Sequence, residues 1–210
     1  MIGFYDYTVV LTYISLISSI MGMFCAIDGK LPFAVFCLAF SGLCDMFDGK
    51  IARTKKNRTD DEKSFGIQID SLCDIVCFGI FPIILGYKLG MCRIYSLVIL
   101  SFYGVAGVIR LAYFNVMEEE DQNRDESGAK IYTGLPVTSA ALIFPAVLLV
   151  HLLVRADLTF LYFGVMLITG ILFVSKIHIK KPQNKGIATM IFFGAVECVV
   201  LIFALKFLKK

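Results

Sequence analysis

Long apolar runs broken by short polar stretches set the pattern of this chain. The runs cover residues 7–27, 31–53, 65–85, 93–116, 135–154, 158–174 and 187–208. At a rise of about 1.5 Å per residue, a helix of about 20 residues crosses the hydrocarbon core of a bilayer. Barrel strands would instead alternate polar and apolar positions over about ten residues, and these runs do not. The expected fold is all-α: a polytopic transmembrane helical bundle forming a single domain over 1–210, with no internal repeat and no soluble domain. The first run reaches spanning length with no small-residue cleavage site, so it reads as a helix that is retained.

The polar punctuation is equally ordered. Asp28-Gly29-Lys30 makes a turn, with Pro32 near the start of the second helix. A loop at 54–64 carries Lys55, Lys56, Arg58 and Lys63, a loop at 118–130 begins acidic, and a stretch after the sixth run holds Lys176, Lys180, Lys181 and Lys185. Lys and Arg mark cytoplasmic loops, so the loops after the second, fourth and sixth runs are expected in the cytoplasm, with the N-terminus. Seven crossings would then put Lys206, Lys209 and Lys210 outside, unless the last run re-enters or splits; six to eight spans remain open.

Composition agrees. Hydrophobic residues make up 58% and charged residues 18%, below the roughly one quarter charged of a soluble domain, and the mean hydropathy is +0.80. The net charge of +3 averages over two sides of a membrane and names no partner; nothing points to nucleic acid. The seven cysteines contain no C-x-x-C pair and mostly lie in apolar runs, which suits small apolar packers rather than disulfides or zinc. His151 and His178 fall near membrane boundaries, and Glu197 falls within the last run; none is assigned chemistry.

Two stretches place acids where acids are expensive. Asp45 and Asp48 stand near the end of the second helix, and Asp70 and Asp74 near the start of the third. Spacings of three and four put each pair on one helix face. The two helices are consecutive and antiparallel, so both pairs come to one membrane surface. Four carboxylates facing one another in a low dielectric must take up protons or hold cations. Hard oxygen donors suit Mg²⁺ or Mn²⁺, and two such ions would clamp phosphoryl groups. Gly49 and Ala52 lie on the Asp45/Asp48 side, Gly66 lies one turn before Asp70, and Arg53 is placed to pair with a phosphate. The bland alternative is a set of helix-end acids neutralised by neighbouring Lys and Arg. Two pairs with the same glycine and arginine dressing argue against it.

These residues resemble the CDP-alcohol phosphotransferase signature, D-x2-D-G-x2-A-R followed after a spacer by G-x3-D-x3-D. Every fixed position is present: Asp45, Asp48, Gly49, Ala52, Arg53, Gly66, Asp70 and Asp74. The twelve-residue spacer between Arg53 and Gly66 is longer than the family pattern usually has, and a longer loop beside an intact site is expected. The resemblance implies a six-helix core with an extra C-terminal span, a multi-pass cell-membrane location, an active site near the cytoplasmic surface, and a homodimer. It implies a divalent metal cofactor, two ions of Mg²⁺ or Mn²⁺, on Asp45, Asp48, Asp70 and Asp74. Asp74 would also be the catalytic general base. Asp45, Gly49, Ala52, Arg53 and Gly66 would bind the cytidine nucleotide and its phosphate. An alcohol would attack the lipid-side phosphorus of a CDP-lipid and release CMP.

Three further segments resemble membrane-type phosphatidylserine synthases: Asp74 through Phe78-Gly79 to Pro82, Arg110-Leu-Ala-Tyr-Phe114-Asn115, and Thr133-Gly134-Leu135-Pro136. Tyr113 stands where those enzymes usually have a second arginine, and Thr12 where they often have asparagine. The implied substrates are CDP-diacylglycerol and L-serine, with Arg110 holding the serine carboxylate and Asn115 and Thr133 lining the acceptor pocket. Ordinary helix ends, and an arginine snorkelling to headgroups, are the competing readings of those three. Glycerol 3-phosphate or an inositol phosphate is the alternative acceptor; each carries a phosphate and would need further cations. A divalent-cation transporter also clusters carboxylates in membrane helices, but usually near the midplane at broken helices within repeats. Here the acids lie toward one surface beside a basic loop.

Overall fold

The structure, a computed structural model, describes residues 3–4, 7–52, 54–55, 57–119, 131–154 and 157–180. Arg53 and the seventh apolar run, with Glu197, lie outside the described residues.

Helices α1 (Val10–Ile27) and α2 (Leu31–Ala52) form an antiparallel hairpin. Gly29 makes the reversal at φ +77°, a left-handed conformation that glycine adopts without penalty, while Gly29 and Lys30 donate back to Ala26 and Cys25. The third span is one rod: α3 (Asp60–Asp74), a π-helical stretch (Ile75–Ile80) and α4 (Phe81–Lys88). Helix α5 (Ile94–Glu119) runs back along it. A strand β1 (Ile131–Thr133) and a 3₁₀ turn (Val137–Ser139) lead into α6 (Ala140–Val154), and α7 (Thr159–Val174) is followed by β2 (His178–Lys180). Four stretches, Val10–Ile27, Leu31–Ala52, Asp60–Lys88 and Ile94–Glu118, are long and apolar enough to cross a membrane, and α6 and α7 are shorter apolar helices. The protein is a polytopic helical membrane bundle.

Two boundaries differ from expectation. The loop expected at 54–64 ends early, because Thr59 caps α3: its hydroxyl accepts from the Glu62 N–H at 3.2 Å, and the Glu62 carboxylate accepts from the Thr59 N–H at 3.0 Å. Asp60, Asp61 and Glu62 then face the positive end of the helix dipole. The longer spacer therefore adds helix as well as loop. The fifth run begins late, since Pro136 holds an extended backbone and α6 starts only at Ala140. The segment before it pairs antiparallel with β2, Thr133 opposite His178. This small ribbon joins the segment after the fourth span to the segment after the sixth.

Side chains too small to obstruct let the helices meet. A side chain at Gly22 would collide with Phe81 and Cys37, and one at Gly42 with Ala141, so α1 approaches α2 and α4 closely and α2 approaches α6. The centre is aromatic: Phe78, Phe81, Tyr103, Phe144 and Tyr162 are fully buried, with Tyr103 edge-on to Phe144 at 5.6 Å. Pro82 has no N–H to offer the Phe78 carbonyl four residues earlier; the Tyr103 hydroxyl donates to that carbonyl at 2.6 Å, and Tyr162 donates to the Pro82 carbonyl at 2.8 Å. Outward-facing Ile17, Phe24, Val105, Ile109 and Ile168 are exposed, as a lipid-facing surface requires.

Candidate active site

All four acids of the motif meet in one place. Carboxylate oxygens of Asp45, Asp70 and Asp74 lie within 4.8 Å of one another. Asp45 lies against Asp74, and Asp48 against Asp70, so the two pairs face each other across α2 and α3. Asp48 and Asp74 are only 7% and 8% exposed. None of the ion pairs among the described residues involves these four carboxylates: those present are Lys30–Asp28, Lys55–Glu62 and Lys63–Asp60. Among the described residues, no lysine or arginine neutralises this cluster. Two oxygens on opposite sides of one Mg²⁺ stand roughly 4 Å apart, given Mg–O bonds of about 2.1 Å. The cluster fits a divalent cation by donor type and by spacing.

Helix α1 completes the cluster. Thr12 is buried and its hydroxyl donates to Asp48 Oδ2 at 3.0 Å. In the sequence Thr12 stands out only as a departure from the usual asparagine; a hydroxyl on an apolar helix gives no local sign of the carboxylate it meets. One turn deeper, Ser15, Ser19 and Ser41 form a buried hydroxyl network between α1 and α2.

Helix α5 forms a second wall. Ser71 donates to Asn115 at 2.7 Å, Ile75 packs where a side chain on Gly107 would sit, and Phe78 receives the Tyr103 hydroxyl. These pairings run antiparallel, which puts Arg110 level with Asp74. Arg110 is 5% exposed, donates through Nε to the Leu135 carbonyl at 3.2 Å, and sits 5.7 Å from the centre of the Phe114 ring. It is buried in the bundle and does not snorkel to headgroups. Asn115 spends its carboxamide on Ser71 and Gln68, tying α5 to α3. Thr133 sits on the ribbon strand. Tyr113 is 47% exposed and points away from the buried face.

The small residues of the motif differ in what they leave open. A side chain on Gly49 would meet nothing within 4 Å, and Ala52 is half-buried one turn nearer the linker. The room left at Gly66 holds the Arg58 guanidinium. Arg53 lies outside the described residues.

Comparison with known proteins gives a consistent result. The profile of the family described as CDP-alcohol phosphatidyltransferase matches residues 8–175. The chain is 28% identical over 173 residues to archaetidylserine synthase of Methanothermobacter thermautotrophicus, an alignment covering 82% of this chain and 68% of that one. It is 29% identical over 182 residues to CDP-diacylglycerol–serine O-phosphatidyltransferase of Helicobacter pylori, covering 82% and 70%. With the Saccharomyces cerevisiae protein of the same name it shares 36% over 105 residues, covering 49% and 37%.

Proposed function

Because the chain belongs to the CDP-alcohol phosphatidyltransferase family, we propose that it transfers the phosphatidyl group of a CDP-lipid to L-serine, releasing CMP and forming phosphatidylserine or its diether counterpart. The observation that carries this reading is the meeting of Asp45, Asp70 and Asp74 within 4.8 Å, with Asp48 held beside them by Thr12. The serine assignment is supported by the names of the relatives and by a buried arginine level with Asp74.

In this reading Asp45, Asp48, Asp70 and Asp74 hold divalent metal, Mg²⁺ or Mn²⁺ and two ions in number. Bound there, the metal supplies Lewis-acid stabilisation to the diphosphate oxygens and to departing CMP. Asp74 accepts the proton of the serine hydroxyl as its oxygen bonds to the lipid-side phosphorus. The phosphorus–oxygen bond to CMP breaks on the opposite side, and CMP carries away the electron pair. Thr12 orients Asp48. Arg110 holds the serine carboxylate, with Asn115 and Thr133 as further acceptor-site residues. The open side of Gly49, with Ala52 and Arg53, takes the nucleotide, while the room at Gly66 is filled by the Arg58 guanidinium. The Lys/Arg distribution supports a cytoplasmic site, and a homodimer is expected on the family resemblance alone.

The test is CMP release by purified protein in detergent with Mn²⁺ or Mg²⁺. CDP-diacylglycerol and its diether analogue serve as donors; L-serine, glycerol 3-phosphate and inositol 1-phosphate are supplied separately as acceptors. Serine-dependent release is expected. Release only with a phosphate-bearing acceptor would remove Arg110 from its assigned role, and no release with any acceptor would return the cation transporter to consideration.

A further inference from the structure

Arg58 lies in the linker between α2 and α3, outside the eight motif positions. Its guanidinium packs directly over Gly66: a Cβ there would fall 2.6 Å from Nη2 and 3.6 Å from Cζ. Gly66 precedes Asp70 by four residues, so the guanidinium lies on the carboxylate face of α3, one helical turn of about 5.4 Å toward the linker. The facing pairs Asp45–Asp74 and Asp48–Asp70 lie on that same face, farther from the linker. Arg58 thus lies at the linker end of the carboxylate face of α3.

The guanidinium is held but not satisfied. Nη2 donates to the Glu62 carbonyl at 2.9 Å, whereas Nε is sealed from solvent with no hydrogen-bond partner among the described residues. Its anchor is firm: Glu62 is fixed by the capping box with Thr59 and by Lys55 at 3.0 Å, and the near end of the linker is tied to the start of the bundle by Tyr7 and Thr54 at 3.1 Å. Buried donors are nearly always paired, so a positioned guanidinium N–H with no acceptor is open to one from a ligand, and an anionic acceptor pairs with it most strongly. Phosphate oxygens match the guanidinium fork, and one N–H is already spent on fixing its direction.

We propose that Arg58 binds a phosphate of the cytidine nucleotide, a contact supplied by this chain's longer linker in addition to the motif. The inference rests on the CDP-lipid reading above, not on the identity of the acceptor. The missing side chain at Gly66 admits the guanidinium.

The experiment uses the full chain in detergent with Mn²⁺, and reads CMP affinity by calorimetry together with KM for each substrate. Arg58→Gln is expected to weaken CMP binding and raise KM for the CDP-lipid about tenfold, with the serine KM and the thermal midpoint essentially unchanged. Arg58→Lys should restore part of the loss. Gly66→Ala, which displaces the guanidinium, should weaken CMP binding in the parent and add nothing in the Arg58→Gln background. Wild-type CMP affinity in Arg58→Gln would overturn the proposal, as would a change in the serine KM alone, or a Gly66→Ala loss that persists in full without Arg58. CMP binding that needs Arg58, in a protein that releases no CMP with serine, would sink the acceptor reading and leave this assignment standing. A parent protein that does not bind CMP would overturn both.

Discussion

Thr12 and Asp48, 36 residues apart, meet in a buried hydrogen bond of 3.0 Å across α1 and α2. The bond engages one oxygen of a carboxylate that also meets Asp70. Partners of this kind, standing behind a metal ligand, commonly change metal affinity 10- to 100-fold when removed. Thr12→Val removes the donor while keeping the side-chain outline. The Mn²⁺ concentration giving half-maximal CMP release is expected to rise about tenfold or more, and Thr12→Ser to stay near the parent. An unchanged Mn²⁺ dependence would mean that the bond only packs the hairpin.

Removing the proposed base separates chemistry from binding. Asp74→Asn keeps the size of the side chain and loses its ability to accept a proton. CMP release is expected to fall by about 10²–10⁴-fold, with CMP binding retained. Asp45→Asn takes one oxygen donor from the cluster, and Mn²⁺ bound per chain, followed by electron paramagnetic resonance, is expected to weaken or drop. Chelation with EDTA should silence the parent reversibly. Full activity after chelation would dismiss metal assistance.

Arg110 is read as the acceptor's anchor because it is buried and level with Asp74. Arg110→Gln is expected to raise the serine KM about tenfold or more, as loss of a charge-assisted pair does, and to leave the CDP-lipid KM near its parent value. A rise confined to the CDP-lipid KM would move Arg110 to the donor side of the site.

The π-helical stretch beside Asp74 depends on a borrowed hydroxyl. Tyr103→Phe strips the Phe78 carbonyl of its donor in a place where Pro82 cannot help. A loss of about 1–3 kcal/mol is expected, seen as a lower thermal midpoint in detergent. Gly42→Val, which drives a side chain into Ala141, should cost a similar amount, about 1–3 kcal/mol by overpacking. Parent-like melting of both variants would show that α2, α6 and the third span are more loosely packed than the structure has them.

The helices, their order and the four acids were legible in the sequence, because run length and three- or four-residue spacing are properties of neighbouring residues. Asp45 with Asp48, and Asp70 with Asp74, share faces by helical geometry alone, and two consecutive helices must fold back on each other. The end of the 54–64 loop was also written locally, in the pairing of Thr59 with Glu62.

The partners were not legible. Nothing near Thr12 announces Asp48, nothing near Arg58 announces the hollow at Gly66, and Asn115 gives no hint that Ser71 and Gln68 claim its carboxamide. The sequence by itself determined a helical membrane bundle with four carboxylates at one end. Tertiary structure alone decided which hydroxyl meets Asp48, which guanidinium fills the room at Gly66 and which arginine stands level with Asp74. Those choices follow from how closely distant helices approach, which turns on small residues such as Gly22, Gly42 and Gly66 lying opposite bulkier partners, a relation no local pattern encodes.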